Sequence, residues 1–281
     1  MTDKRPKKRT NQDFARMPNL ENASPVERLS KHGLLVLTGR GHAEADSLTV
    51  RIYRNLRESL LGGVLSPGDM LNTRPFASAF GVSTMPVREA MSRLVADGGL
   101  EPLANRAFRV PRIKLAQFRE LFLMRLRLET LAAEHAAVHV AAADLKAIRA
   151  ALDAMSATRS PALSAYLLAH RDFHFGIYGA ARMPLLYNAI ETLWLRMGPI
   201  MNAAAALYDF DEEHRAHSEL LSALRRADAP AASKAVEEDL RLASERTSRF
   251  IEVVGENGAS TTAQDQEAVA KTIGRFSSSP I

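Results

Sequence analysis

The chain has 281 residues, a net charge of +5 and no cysteine, so it is long enough for one or two ordinary domains and carries neither disulfides nor thiolate chemistry. No apolar run approaches the ~20 residues a membrane helix needs, and the first residues lack the apolar core of a signal peptide. A cytoplasmic protein is therefore expected, with no membrane partner.

The charge is unevenly placed. Residues 1–46 open with Lys4, Arg5, Lys7, Lys8 and Arg9, and Arg16 follows. They mix Pro, Asn, Ser and charges without a clear period, which predicts a basic, largely disordered extension. It is either a solvated tail or an arm adding nonspecific phosphate contacts. Leu34 to Leu37 is a short apolar run that would dock locally as a strand.

Residues 47–114 carry ten Lys/Arg against five Asp/Glu, whereas residues 115–254 carry sixteen against eighteen. Such an asymmetry is expected when only the front of a protein meets phosphate. Ser47 caps an amphipathic segment from Leu48 to Leu61, and Gly62-Gly63 and Ser66-Pro67-Gly68-Asp69 are turn chemistry leading to a tight connection. Arg74 to Phe80 makes a short helix that Gly81 ends. Ser83 or Thr84 then caps the next helix, and Pro86 is tolerated in its first turn. Val87, Met91 and Leu94 recur at helical spacing and face a core, leaving Thr84, Met85, Arg88 and Ser92 outward. After Asp97-Gly98-Gly99, the segments Leu100–Leu103 and Ala107–Val110 form a two-stranded wing around Asn105 and Arg106. Together these make a winged helix-turn-helix suited to a major groove.

At this point the chain resembles the GntR family of bacterial transcriptional regulators. The resemblance is carried by Pro67-Gly68-Asp69-Met70-Leu71-Asn72, Gly81-Val82-Ser83, Pro86-Val87-Arg88-Glu89-Ala90 and Arg93-Leu94. It implies that Arg74 and Arg88 face the groove, with Ser83, Thr84 and Met85 opening the recognition helix and Asn105 and Arg106 at the wing. The chain departs from the family in having Thr84 where an arginine is common and Ala107 where a wing glycine is common. The first change removes a guanine contact worth about 1–3 kcal/mol of discrimination, so an operator sequence does not carry over.

From Leu115 the pattern is helical to Val253. A long segment ends near Val140, and further helices run from Asp144 to Thr158, Pro161 to Ala180, Pro184 to Leu207, Glu212 to Arg226 and Pro230 to Val253. Pro and Gly punctuate the ends, which predicts an antiparallel helical bundle large enough to enclose a cavity. The fold class is thus mainly α, a winged head followed by an all-helical bundle. Residues 255–281 are polar and rich in Gly and Ser, and a disordered tail is expected.

Six of the eight histidines lie in the helical half. His170 and His174 stand i,i+4, so their rings share one helix face and can share one ion. His135 and His139 have the same spacing but fit packing or a surface, and His214, beside Glu212 and Glu213, is expected to be exposed. Tyr166, Tyr178 and Trp194 line either a cavity or plain core.

The resemblance extends into this half, which looks like the FCD effector domain of one GntR subfamily. It implies a metal site on His170, His174, His217 and Asp239, in which the family's aspartate and final histidine positions are exchanged. Three imidazoles and one carboxylate suit zinc or nickel. Asp239 is shorter than the histidine it replaces and sits in a Glu237-Glu238-Asp239 run, which would otherwise be a solvated face. Arg125 matches a cavity-facing arginine whose fork would take a small carboxylic acid, unless it pairs with Glu129 one turn on.

The function so implied is a homodimeric, ligand-responsive repressor, with double-stranded DNA of near-palindromic sequence and a small carboxylic acid as its partners. Two alternatives stand against it. A metal-dependent hydrolase is disfavoured because Arg171 follows His170 where a peptidase would place its glutamate base. An architectural DNA-binding protein would not need the large second domain with clustered histidines.

Overall fold

A computed structural model describes residues 23–35, 37, 46–104, 107–157, 163–205 and 210–254. Ten helices and three short strands occupy these residues. Most of the basic extension, Val36 of the Leu34–Leu37 run, the wing tip at Asn105 and Arg106, and the tail 255–281 fall outside them.

The first element is a helix that the sequence did not announce, α1 (Pro25–Lys31). Ser24 caps it, Glu27 closes a capping box and Pro25 supplies its first turn. Leu29 is completely buried, a contribution of about 1.5–3 kcal/mol. Arg28 forms an ion pair with Asp69. Leu34 is also buried, but in the turn that follows α1 rather than in a strand.

The winged head begins with α2 (Leu48–Leu61), capped by Ser47 as expected. Strand β1 (Met70–Asn72) leads into α3 (Thr73–Phe80), and Gly81 ends that helix with φ 67°, a left-handed value at which a side chain would be strained. Helix α4 (Thr84–Ala96) follows Ser83, which occupies the cap position without a side-chain cap bond. Strands β2 (Glu101–Pro102) and β3 (Ala107–Arg109) form the wing. The wing is three-stranded, in the order β1-β3-β2, with Leu71 opposite Phe108 and Glu101 opposite Arg109. The expected connection before α3 is therefore partly a strand. Three residues with one buried side chain are too few to display alternation in the sequence.

Ile52, Leu56 and Leu60 of α2 meet Phe76 of α3 and Val87, Met91 and Leu94 of α4 in the core of the head. Tyr53 fastens α2 to the end of α4, since its hydroxyl donates to Asp97 at 2.6 Å and Arg93 lies 4.2 Å above its ring.

The second domain comprises α5 (Leu115–His139), α6 (Ala142–Ala157), α7 (Leu163–Ala180), α8 (Pro184–Ala204), α9 (Phe210–Arg225) and α10 (Ala229–Val254). Their limits fall within a few residues of the expected ones. Helix α5 runs along α10, α6 along α7, and α9 along α10. No helix among the described residues is long and apolar enough to cross a membrane.

Helix α8 reaches out of the bundle to α2 of the head. Gly198 makes this approach possible, since a β-carbon there would stand 2.1 Å from the Leu60 carbonyl oxygen. Glu191 of the same helix forms an ion pair with Arg57.

Candidate metal centre and DNA-reading face

Helix α7 sets Tyr166, His170, His174 and Tyr178 at successive i,i+4 positions, so all four project from one face. That face meets His217 from α9 and Asp239 from α10. One donor atom from each of His170, His174, His217 and Asp239 lies within 4.8 Å of the others, and all four side chains are buried. His174 Nε2 is 3.2 Å from His217 Nε2, and the Asp239 oxygens lie 3.1 Å from His217 Nε2 and 3.5 Å from His174 Nε2. Asp239 reaches the cluster despite its short chain. Glu238 faces solvent and Glu237 is half-buried, so the charge run is split across two faces of α10.

These spacings fit a divalent ion. Ligands about 2.0–2.2 Å from a tetrahedral zinc stand roughly 3.3 Å apart, close to the separations among His174, His217 and Asp239. His170, His174, His217 and Asp239 would hold it, and the nitrogen-rich set favours a transition ion over a hard one.

In the metal-free protein the cluster partitions its charge unequally. Burial pushes His174 down to about 3 and holds His170 well below the ordinary imidazole value. His217 is raised in spite of burial, because the Asp239 carboxylate faces it. Asp239 is lowered, against the effect of burial, by the same imidazole. One ion pair and two neutral imidazoles result.

A second ring of side chains fixes the first. The Tyr178 hydroxyl donates to Glu129 and stands 3.0 Å from His174 Nδ1. Since the hydroxyl proton is spent on Glu129, His174 Nδ1 must be the donor to the phenol oxygen, which leaves its Nε2 lone pair facing the cluster. Glu129 also accepts from Trp194 Nε1 at 2.9 Å and from Arg125 Nε at 2.6 Å.

Arg125 is thus buried and committed to Glu129, the alternative that the i,i+4 spacing left open. Its Nη1 stands 3.8 Å from the Met201 sulfur, and its guanidinium lies 4.7 Å from the centre of the Trp194 ring. Trp194 in turn touches His170 and His174, with ring centres 5.8 and 5.5 Å away.

Glu129, Tyr178 and Trp194 were not assigned this orienting role from sequence, although Tyr178 stands one turn after His174 and signals it. Glu213 is a further buried acid that sequence reading passed over. It pairs with Arg246, one turn before His217, and burial pushes its carboxyl up to about 7. His214 differs from expectation too. It is half-buried, with Nδ1 3.1 Å from the Ser156 hydroxyl of α6. His135, half-buried, and His139, exposed, stack on each other along α5 and are not among the four converging donors.

The residues expected to face the groove lie on the winged head. Arg74, Ser83, Thr84, Met85 and Arg88 are all exposed, while Val87, Ala90, Met91 and Leu94 on the other side of α4 are buried. Thr49 of α2 donates to Glu89 at 2.9 Å, tying down the first turns of the recognition helix.

Helix α8 connects the cluster to the head. Trp194 contacts the histidines and Glu129, whereas Leu195 abuts Gly99 and the Arg196 guanidinium covers Gly98 in the turn after α4.

Residues 48–110 match the pattern of the bacterial regulatory proteins of the gntR family, and residues 120–242 match the FCD domain. The HTH-type transcriptional regulator McbR of Escherichia coli K12 is 33% identical over 164 residues, covering 58% of this chain and 74% of McbR. The HTH-type transcriptional repressor RspR of the same organism is 26% identical over 202 residues, 69% of this chain and 86% of RspR. The solved structure of E. coli McbR superposes with a TM-score of 0.66 at 30% identity over 70% of this chain and 94% of that one. A GntR regulator from Rhodococcus sp. RHA1 shares the fold, with a TM-score of 0.61 at 21% identity over 72% of this chain and 98% of that one. The gntR pattern over the winged head, the FCD pattern over the helical bundle and the identity with McbR agree: the chain belongs to the GntR family of transcriptional regulators and carries an FCD domain.

Proposed function

We propose that this regulator is a homodimeric cytoplasmic repressor that senses a small carboxylic acid through a divalent ion held by His170, His174, His217 and Asp239. The observation that carries the reading is the convergence of four buried donor atoms within 4.8 Å of one another, beside Arg125. A bound zinc or nickel ion supplies a Lewis-acid position for a carboxylate. The Arg125 Nη1 donor, which Glu129 does not use, adds a second point of attachment for the acid.

Each protomer places α4 in the major groove of one half of a near-palindromic operator, with Arg74, Ser83, Thr84, Met85 and Arg88 toward the bases and Asn105 and Arg106 at the wing. Helix α8 gives the effector a route to the head, because Trp194 lies against the cluster and Gly198 against Leu60. An acid that binds one arrangement of the heads more tightly shifts the protein toward it. The repressor assignment follows RspR, which bears that name. Regulation rather than catalysis fits Arg171, which pairs with Asp172 instead of offering a base to the cluster.

Operator footprinting across a panel of short carboxylic acids, with and without a chelator, tests the reading. One acid should weaken protection, and chelation should abolish its effect. An acid response that survives complete removal of metal would overturn the metal part, and no response to any acid would overturn the ligand class.

A further inference from the structure

Helix α5 is apolar on two sides. Phe118, Leu121, Ala132, Ala133, Ala136 and Ala137 are buried on the side where the helix meets the rest of the bundle. A second row lies outside. Glu120, Met124, Arg127, Leu131, Glu134 and Val138 are all exposed, and they follow one another at alternating steps of four and three residues. That spacing holds all six on one stripe along the helix, the kind of seam by which two helices pack. Leu123 flanks it, and Leu123 and Val138 are 61% and 67% exposed. Four of the nine large exposed hydrophobic side chains among the described residues thus lie on this one helix. A helix that packed only against its own bundle would carry a polar outer face instead.

The charges on the stripe indicate what covers it. Glu120, Arg127 and Glu134 alternate with the apolar residues, and none of the three has an ion-pair partner among the described residues. Two copies of α5 laid antiparallel, about a two-fold axis between Thr130 and Leu131, bring Arg127 of each copy level with Glu134 of the other. The same register sets Leu131 beside its own copy and Met124 beside Val138, each to within one residue's rise of about 1.5 Å. Cation meets anion and apolar meets apolar on both sides of the axis, as a self-complementary interface requires. A parallel pairing would set every residue against itself and place Glu120, Arg127 and Glu134 on like charges, which is costly.

We propose that the outer stripe of α5 is the surface on which two copies of this chain pair, antiparallel, with reciprocal Arg127–Glu134 ion pairs either side of a Leu131 contact. The proposal rests on the homodimer reading above and names its surface. Arg125 and Glu129 stand on the buried face of the same helix, so the seam runs directly behind the candidate acid anchor.

Sedimentation equilibrium on the full chain tests the charges. Arg127→Glu sets acid against acid and should raise the dimer Kd at least about tenfold, as should Glu134→Arg. The double exchange, Arg127→Glu with Glu134→Arg, should return it to within about threefold of wild type. Because the chain has no cysteine, a single introduced thiol gives an independent readout. Leu131→Cys places that thiol beside its own copy, and mild oxidation should yield a covalent dimer. Ala116→Cys, on the same helix, would stand about 45 Å along the axis from its own copy and should not link.

A wild type that sediments as a monomer throughout would overturn the homodimer reading and this proposal with it. A dimer whose Kd ignores the charge variants, and which Leu131→Cys does not link, would overturn the seam alone and leave the stripe to a different partner. Failure of the double exchange to restore pairing would overturn the Arg127–Glu134 contact. Linkage through Ala116→Cys as readily as through Leu131→Cys would overturn the antiparallel arrangement.

Discussion

His174 Nδ1 lies 3.0 Å from the Tyr178 hydroxyl, and that hydroxyl has already given its proton to Glu129. The pair therefore fixes a tautomer: His174 presents a bare Nε2 to His217 and Asp239 before any ion arrives. Replacing Tyr178 by Phe should leave the helices intact while lowering zinc affinity about 10–100-fold, the usual cost of removing an orienting partner. Titration calorimetry with zinc checks this, and an unchanged affinity would detach Tyr178 from the site.

Metal content gives the direct test of the cluster. Purified, metal-supplemented protein should carry about one transition ion per chain, and chelation should lower its melting temperature, because an ion bound at a thousandfold excess over its Kd stabilises the native state by about 4 kcal/mol. His174→Ala should lose most of the ion. Asp239→His should keep it, since it offers a fourth imidazole at the same place. Elemental analysis that finds no ion in supplemented wild type contradicts the assignment.

Acid should destabilise the metal-free protein in a shaped way. His170 and His174 are lowered, so between the unfolded value near 6.5 and their folded values the unfolded chain binds more protons, and stability falls as pH drops. His217 and Glu213 are raised and act oppositely. Their contributions are complete below the unfolded values, near 6.5 and 4.5, and are lost as pH rises, for Glu213 through about 7. The opposing effects flatten the profile between pH 7 and 4.5. The steepest loss is expected from about pH 4.5 toward 3, where the neutral imidazoles act and Asp239, itself lowered, joins them. Urea midpoints measured in chelator should follow this curve; a midpoint that rises on acidification below pH 4.5 would contradict it.

Arg88→Ala should lose about 1–3 kcal/mol of base discrimination, or 5–150-fold, with no change in melting temperature, because the side chain is exposed. Arg74→Ala should behave similarly. Competition between operator and random DNA at fixed salt measures both effects.

Gly198→Ala tests the contact between bundle and head. In an isolated helix the change would help by about 1 kcal/mol. Here the new β-carbon would meet the Leu60 carbonyl, which is backbone and cannot swing aside, so a loss of about 1–3 kcal/mol is expected instead. Thermal melts give the sign. Effector response of operator binding in the same variant should shrink if α8 carries the signal.

The parts legible in the sequence were those with local causes. Gly81, Ser83 and Pro86 mark the helix-turn-helix because each satisfies a backbone requirement where it stands. His170 and His174 share a face through helix geometry alone, and His217 and Asp239 joined them through the family resemblance. The three-residue strand β1 was not legible, since it exists through pairing with residues almost forty positions away. Helix α1 did carry a local signal, Ser24 followed by Glu27, but seven residues amid polar sequence show no periodic face. The commitment of Arg125 to Glu129 was one of two readings the spacing allowed, and the bonds from Tyr178 and Trp194 to Glu129 span 49 and 65 residues. Glu213 had no local signal of its own beyond standing next to His214, because its partner Arg246 comes from the next helix.

The enclosure of the four-donor cluster has a kinetic consequence. His170, His174, His217 and Asp239 are each at most 4% exposed, walled in by α7, α9 and α10. An ion lodged there leaves only when those helices part, so its departure is timed by local opening and not by the hunger of the competing chelator. Raising chelator concentration should therefore cease to hasten its loss beyond a plateau. On the proposed reading such an ion would be a lasting fixture of each molecule, replaced on the timescale of breathing motions, and the faster comings and goings of a signal would fall to the small-molecule effector.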